Sequence, residues 1–310
     1  MKLRPLAFRA SALVACCLVS HGAVIFNFTY MDVVNDTNLG FDDPTFGATR
    51  RATVESVASY LNTVLVENGS VDLRWNLSLN DSGSSTLGSM GSFYFLNRGV
   101  DNGMVFKHIT GGIDPYGADV DGSGQINFGL NWNSGLGAPA AGQNDLFSVV
   151  LHETVHSLGF NSLIGANGTF PVAGTRSVYD SYLVGPHGNL IDGTGAFNGS
   201  SSDLTSLSVS FNGPNAMAAN GGSAVSIYSP ASYASGASLS HLDTSVVGVM
   251  NPFLTTGMAE RSLAGVEVAM LKDIGYTVVP EPYEYGLATG LGLLAFASWR
   301  RWRSSVEVQP

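Results

Sequence analysis

The stretch Asp145-Leu-Phe-Ser-Val-Val-Leu-His-Glu-Thr-Val-His-Ser-Leu-Gly159 carries the decisive pattern of this 310-residue chain. Asp145 is a good N-cap and Gly159 stands where a helix would end, so the stretch predicts a helix. Leu151, Val155 and Leu158 fall at helical spacing and form a stripe to be buried. His152 and His156 are four positions apart, so both imidazoles leave one face about a turn apart. Neutral imidazole ligates zinc well, and two on one helix supply half of a tetrahedral site. Glu153 stands beside the first histidine, placed to take a proton from water rather than to bind the ion.

A catalytic zinc needs a third protein ligand and an open position. Ten residues after the first histidine stands Ser162, a poor ligand, and no Glu occurs between Glu153 and Glu260. The remaining ligand must come from further away. His21 falls in the N-terminal leader, which leaves His108, His187 and His241, with Asp180 in Tyr179-Asp180-Ser181-Tyr182 as a runner-up oxygen donor. His108 is read as ending a strand, and His187 lies in the turn Gly185-Pro186-His187-Gly188. His241 precedes Val249-Met250-Asn251-Pro252, after which Leu263 to Ile274 reads as a last helix.

The set His152-Glu153-x-x-His156-x-x-Gly159-Phe160, a remote Ser240-His241 and a methionine turn before a last helix resembles the leishmanolysin-type metzincins. The resemblance spans roughly residues 145–160 and 238–276. It implies His241 as third ligand, Met250 as the turn methionine beneath the ion and residues 163–237 as an insertion between ligands. The disulfides of the eukaryotic members have no counterpart, so a bacterial relative is implied. The implied fold is α+β and metzincin-like: a twisted mixed sheet, a long N-terminal helix, an active-site helix and a C-terminal subdomain.

The rest of the body fits that outline. Ala23 to Tyr30 reads as a first strand, residues 50–66 as a helix with Val54, Val57, Ala58, Leu61, Val64 and Leu65 on one face, and Val71 to Leu79 as an alternating strand. Further short strands are expected near Ser92 to Leu96, Gly103 to Ile109 and Gln125 to Leu130, and the resemblance implies the last as the edge that pairs with substrate. Asp119-Val120-Asp121-Gly122-Ser123-Gly124 resembles the start of a calcium loop but lacks the third acidic position and the closing Glu. It is read as a turn, with Ca2+ a secondary candidate ion beside Zn2+.

Charge separates the body from its ends. Residues 24–279 hold 8 basic and 21 acidic residues, a balance of 8 − 21 = −13, while Lys2, Arg4, Arg9, Arg300, Arg301 and Arg303 sit at the termini. An acidic body excludes a basic nucleic-acid binder, and 45% hydrophobic content excludes an acidic disordered chain. Residues 1–23 have the basic, apolar and small-residue layout of a signal peptide. Both cysteines, Cys16 and Cys17, fall inside it, so cleavage near Gly22 or Ala23 leaves a domain without disulfides, residues 24–279. Leu13-Val14-Ala15-Cys16 also resembles a lipoprotein box.

Residues 280–303 begin Pro280-Glu281-Pro282, continue as an apolar run from Gly286 to Trp299 and end in the arginine cluster. That layout resembles a PEP-CTERM sorting signal, with a short transmembrane segment whose basic end stays cytoplasmic. The resemblance implies signal peptidase and an exosortase-type enzyme as processing partners, transient membrane anchoring, and the outside or surface of a Gram-negative bacterium. Together these features predict an exported zinc endopeptidase acting on a protein or peptide substrate. The competing expectation is an inactive zinc-binding surface or biofilm-matrix protein on the same fold.

Overall fold

A computed structural model describes residues 22–95, 99–279 and 297–299. The expected leader before Gly22, and the sorting tail after 279 apart from 297–299, lie outside the described residues. In chain order the elements are β1 (Ile25–Tyr30), α1 (Met31–Asn35), α2 (Gly47–Leu61), β2 (Ser70–Trp75), β3 (Gly88–Ser92), β4 (Gly99–Val100) and α3 (Gly103–Gly111). Then follow β5 (Gly122–Ile126), β6 (Trp132–Asn133), β7 (Asn144–Asp145), α4 (Leu146–Ser157), β8 (Thr175–Arg176), α5 (Val178–Ser181) and β9 (Leu183–Gly185). The chain closes with β10 (Gly188–Asn189), a 3-10 turn at Asp203–Thr205, β11 (Ser210–Phe211), α6 (Pro214–Ala219), β12 (Val225–Ser226) and α7 (Gly265–Ile274).

The class is α+β, built on a mixed sheet of order β1-β2-β5-β3. β1 and β2 run parallel from Ile25↔Ser70 to Tyr30↔Trp75, joined by α2 as the crossover that parallel pairing requires. β5 is parallel to β2, and β3 closes the order antiparallel to β5, from Gly88↔Ile126 to Ser92↔Gly122. Alternation along β2 puts Val71, Leu73 and Trp75 fully inside the core. Val54, Val57 and Leu61 of α2 and Leu146, Val150, Leu151 and Val155 of α4 join the same core, and Tyr60 meets Phe147 edge-on between the two helices. Burial of these aliphatic faces is the main favourable term, at about 25 cal/mol per Å2 of apolar surface.

Two strand expectations are overturned. Gly103 to Ile109 is helix, because Met104, Val105, His108 and Ile109 share one buried face; their β-branched composition imitates a strand. Gln125 to Leu130 is not an edge: β5 lies inside the sheet and stops at Ile126. The buried Asn127 side chain ends the strand by bonding Asp81 N, Asp81 O, Thr86 O and Gly129 N. The edges are β1 and β3, and the Gly-Ser-Met-Gly-Ser of β3 carries little strand signal. The strand expected from Ser92 thus ends there rather than beginning.

The segment between residues 163 and 237 holds a small antiparallel sheet, β10-β9-β11-β12. It is tied to the last helix by Asp273, whose carboxylate accepts the Asn215 and Ala216 amides at the start of α6 (3.0 and 2.9 Å). No helix among the described residues is long and apolar enough to cross a membrane.

Candidate metal centre

The helix that bears the decisive pattern is fixed at both ends. Asp145 is extended and its carboxylate accepts Ser148 N (3.1 Å) and Ser148 Oγ (2.7 Å), as the sequence predicts for an N-cap. Arg261 Nε donates to the same carboxylate at 2.9 Å, a partner far along the chain. At the other end Gly159 takes φ +96°, a conformation L-residues avoid. That turn sends the chain back so that Phe160 O receives His156 Nδ1 at 2.7 Å.

His241 arrives from the end of the insertion. Tyr228 N donates to His241 O and Leu239 N to Tyr228 O, both at 2.9 Å, and Ile227 bridges Leu242. These bonds hold His241 Nε2 at 3.1 Å from His152 Nε2 and 3.2 Å from His156 Nε2, while the two helix histidines are 3.0 Å apart. Each Nδ1 faces a carbonyl: Val249 O for His152 (2.8 Å), Phe160 O for His156 (2.7 Å) and Ala237 O for His241 (2.8 Å). A carbonyl only accepts, so Nδ1 carries the proton in all three rings and every Nε2 presents a lone pair. Three lone pairs converging at this range repel one another unless a cation lies among them. Nitrogens about 2.0–2.1 Å from a tetrahedral zinc stand about 3.3–3.4 Å apart, close to the spacing here. Burial, reinforced by the neighbouring rings, lowers the His152 pKa to about 3 and holds His156 well below its ordinary value; burial also lowers His241. All three therefore stay neutral donors, and the residues present fit the ion.

Glu153 is 6% exposed and points between α4 and the sheet edge. A Cβ built on Gly88 would lie 3.3 Å from its Oε1, so only the small residue at that edge leaves the carboxylate unconfined. Burial raises its pKa to about 8, against a hydrogen bond from the Met90 amide. Glu153 follows His152 directly in the chain, and a carboxyl is a group that can accept and return a proton.

Met250 is fully buried, and its carbonyl accepts Leu242 N at 2.9 Å, next to the third histidine. Its own amide donates to Glu267 Oε1 at 2.6 Å, and Ala264 N donates to Oε2 at 2.6 Å. Glu267 was not among the candidates read from the sequence. Its place at the third position of the last helix is a capping signal, yet nothing local shows that it also reaches the methionine turn. Arg261 was missed likewise.

The other candidates lie elsewhere. Asp180 is buried but serves as a cap, accepting Ser162 Oγ, Leu163 N and Ser177 N, and takes no part in the histidine cluster. His187 is exposed and bonds Asp203. His108 does not end a strand; it lies in α3 beside Asp72 and Asp121. No protein-family model matches the chain, and neither a curated protein nor a solved structure is significantly similar to it.

Proposed function

We propose that the chain is an exported zinc-dependent endopeptidase with the metzincin-like, leishmanolysin-type ligand arrangement. The observation that carries this reading is the convergence of His152, His156 and His241 Nε2 within 3.2 Å, each proton fixed on the opposite ring nitrogen. Zinc, when bound there, polarises a carbonyl and lowers the pKa of water. Glu153 accepts the proton from the attacking water and passes it to the leaving amine. Its buried site holds it near the sheet edge, next to Gly88.

β3 supplies the binding surface. Leu87 O and Phe93 N bond toward β5, so alternation turns the backbone groups of Gly88, Met90 and Ser92 away from β5, the Met90 amide toward Glu153. A peptide laid extended there adds a strand, with main-chain bonds giving affinity. The terminal segments support export through the signal peptide and sorting-tail readings.

The test is digestion of an unfolded protein substrate by the purified chain. Cleavage should stop on chelation and return with zinc. Glu153→Gln should retain zinc and lose about 10²–10⁴-fold in kcat. Undiminished cleavage by a folded Glu153→Gln protein would overturn the base assignment. A zinc-loaded wild type that cleaves no peptide would favour the inactive surface protein.

A further inference from the structure

A second cluster lies apart from the histidine triad. Asp72 on β2, His108 on α3 and Asp121 just before β5 bring ligand atoms within 4.8 Å of one another. His108 Nδ1 stands 2.7 Å from Asp121 Oδ2 and 4.0 Å from Asp72 Oδ2. The opposite ring nitrogen, Nε2, is 2.8 Å from Ser70 Oγ, which sits two residues before Asp72 and so on the same face of β2. The ring is thereby oriented from behind, as outer partners orient metal-binding histidines.

Asp121 gives the cluster its direction. Its side chain is fully buried, and Oδ2 takes both the Asp72 amide (2.9 Å) and His108. Oδ1, equally buried, has no hydrogen-bond partner among the described residues. A buried carboxylate oxygen without a donor is rare in folded proteins and marks the place of an ion or bound water. Two carboxylates around one imidazole need positive charge between them, and a divalent ion neutralises both. Asp72 is the adjustable member: about a third of its side chain is exposed, so a small rotation shortens its distance to the imidazole.

We propose that Asp72, His108 and Asp121 form a second divalent-cation site, for an ion of the zinc–manganese class. One nitrogen and two carboxylates suit that class, whereas Ca2+ takes six to eight oxygens. Asp121 belongs to the segment whose sequence resembles a calcium loop, but its carboxylate turns inward to an imidazole. The ion joins β2, α3 and the start of β5, and takes no part in peptide hydrolysis.

The experiment is zinc analysis of the full chain, stripped with chelator, equilibrated with zinc alone and desalted. The two clusters predict two zinc ions per wild-type chain. The double variant His152→Ala/His156→Ala should keep one, and adding His108→Gln should remove it. Because His108→Gln could disturb the core, Asp72→Asn provides the second arm: it should fold normally and weaken this zinc by about 10-fold or more, the scale set by loss of even an outer-shell partner. A zinc content that neither His108→Gln nor Asp72→Asn lowers from the wild-type value overturns the proposal and leaves the triad intact. A wild type that binds one zinc, kept on loss of the triad but lost with His108→Gln, supports it and sinks the triad instead. Displacement of this zinc by an equal concentration of calcium would overturn the assigned ion class.

Discussion

Glu267→Gln probes the support of the methionine turn, and its consequence can be worked from the structure. The carboxylate is fully buried and accepts two amides at 2.6 Å, one from Met250 and one from Ala264. Gly248 approaches so closely that a Cβ there would fall 2.4 Å from Oε1, so no water can replace a lost acceptor. Glutamine keeps one acceptor and turns an NH2 group toward the other amide. An unsatisfied buried donor costs about 1–3 kcal/mol, which sets the loss where the wild-type carboxyl is protonated.

The gap should depend on pH. Burial holds the Glu267 carboxyl at about 7, above its ordinary value of 4.5. A raised carboxyl pKa means that the folded state binds the proton more tightly than the unfolded one. The stability so gained is full below about pH 4.5 and is lost as pH rises through about 7. At about 1.4 kcal/mol per tenfold change, the wild type loses up to roughly 3 kcal/mol over that interval. Glutamine does not titrate, so the wild type's advantage over the variant at pH 5 should close by pH 8. Urea unfolding of both proteins with chelator present, so that metal binding adds nothing, measures the difference while other titrating groups cancel. Parallel stability curves across pH 5 to 8, or no loss at pH 5, would refute the reasoning.

The remaining expectations concern the triad and its helix. His241→Ala should weaken zinc at the triad by more than the roughly 10–100-fold typical of lost outer-shell partners, because a donor itself disappears. Competitive chelator titration measures this, and unchanged affinity would remove His241 from the ligand set. Gly159→Ala should cost about 1–2 kcal/mol, since φ is +96° and the added Cβ meets only ordinary contacts at 3.7 Å. Thermal unfolding reads the cost. Zinc affinity should fall with it, because the same turn presents Phe160 O to His156.

The fold was legible where side-chain period and end signals agreed. Val71, Leu73 and Trp75 alternate, and β2 is a strand with those three inside. Asp145 and Gly159 bracket α4 because a short acceptor and a residue tolerant of positive φ are local chemical requirements. Legibility failed where composition and period disagreed. Met104, Val105 and Ile109 have strand-like chemistry on a helical face, and β3 has almost no apolar content although it closes the sheet. An edge strand is defined by which backbone it pairs with, and Gly88 to Ser92 offer few side chains to announce that.

The site divides along the same line. His152, Glu153 and His156 could be read from spacing because one helix carries all three. His241 needed an implied family arrangement, since 84 residues separate it from His156 and no period spans that distance. What no residue type could disclose is the second layer: Val249 O, Phe160 O and Ala237 O, which fix the proton on each ring. Carbonyls belong to every residue, so their role exists only after the chain has folded. Yet these three set which lone pairs converge, because each carbonyl takes the Nδ1 proton and leaves Nε2 bare toward the other two rings. The histidines supply the donors, and the backbone turns at Gly159, Ala237 and Val249 make them point inward. A substitution that leaves all three imidazoles in place but shifts one of those turns should therefore lose zinc almost as surely as one that removes a ring.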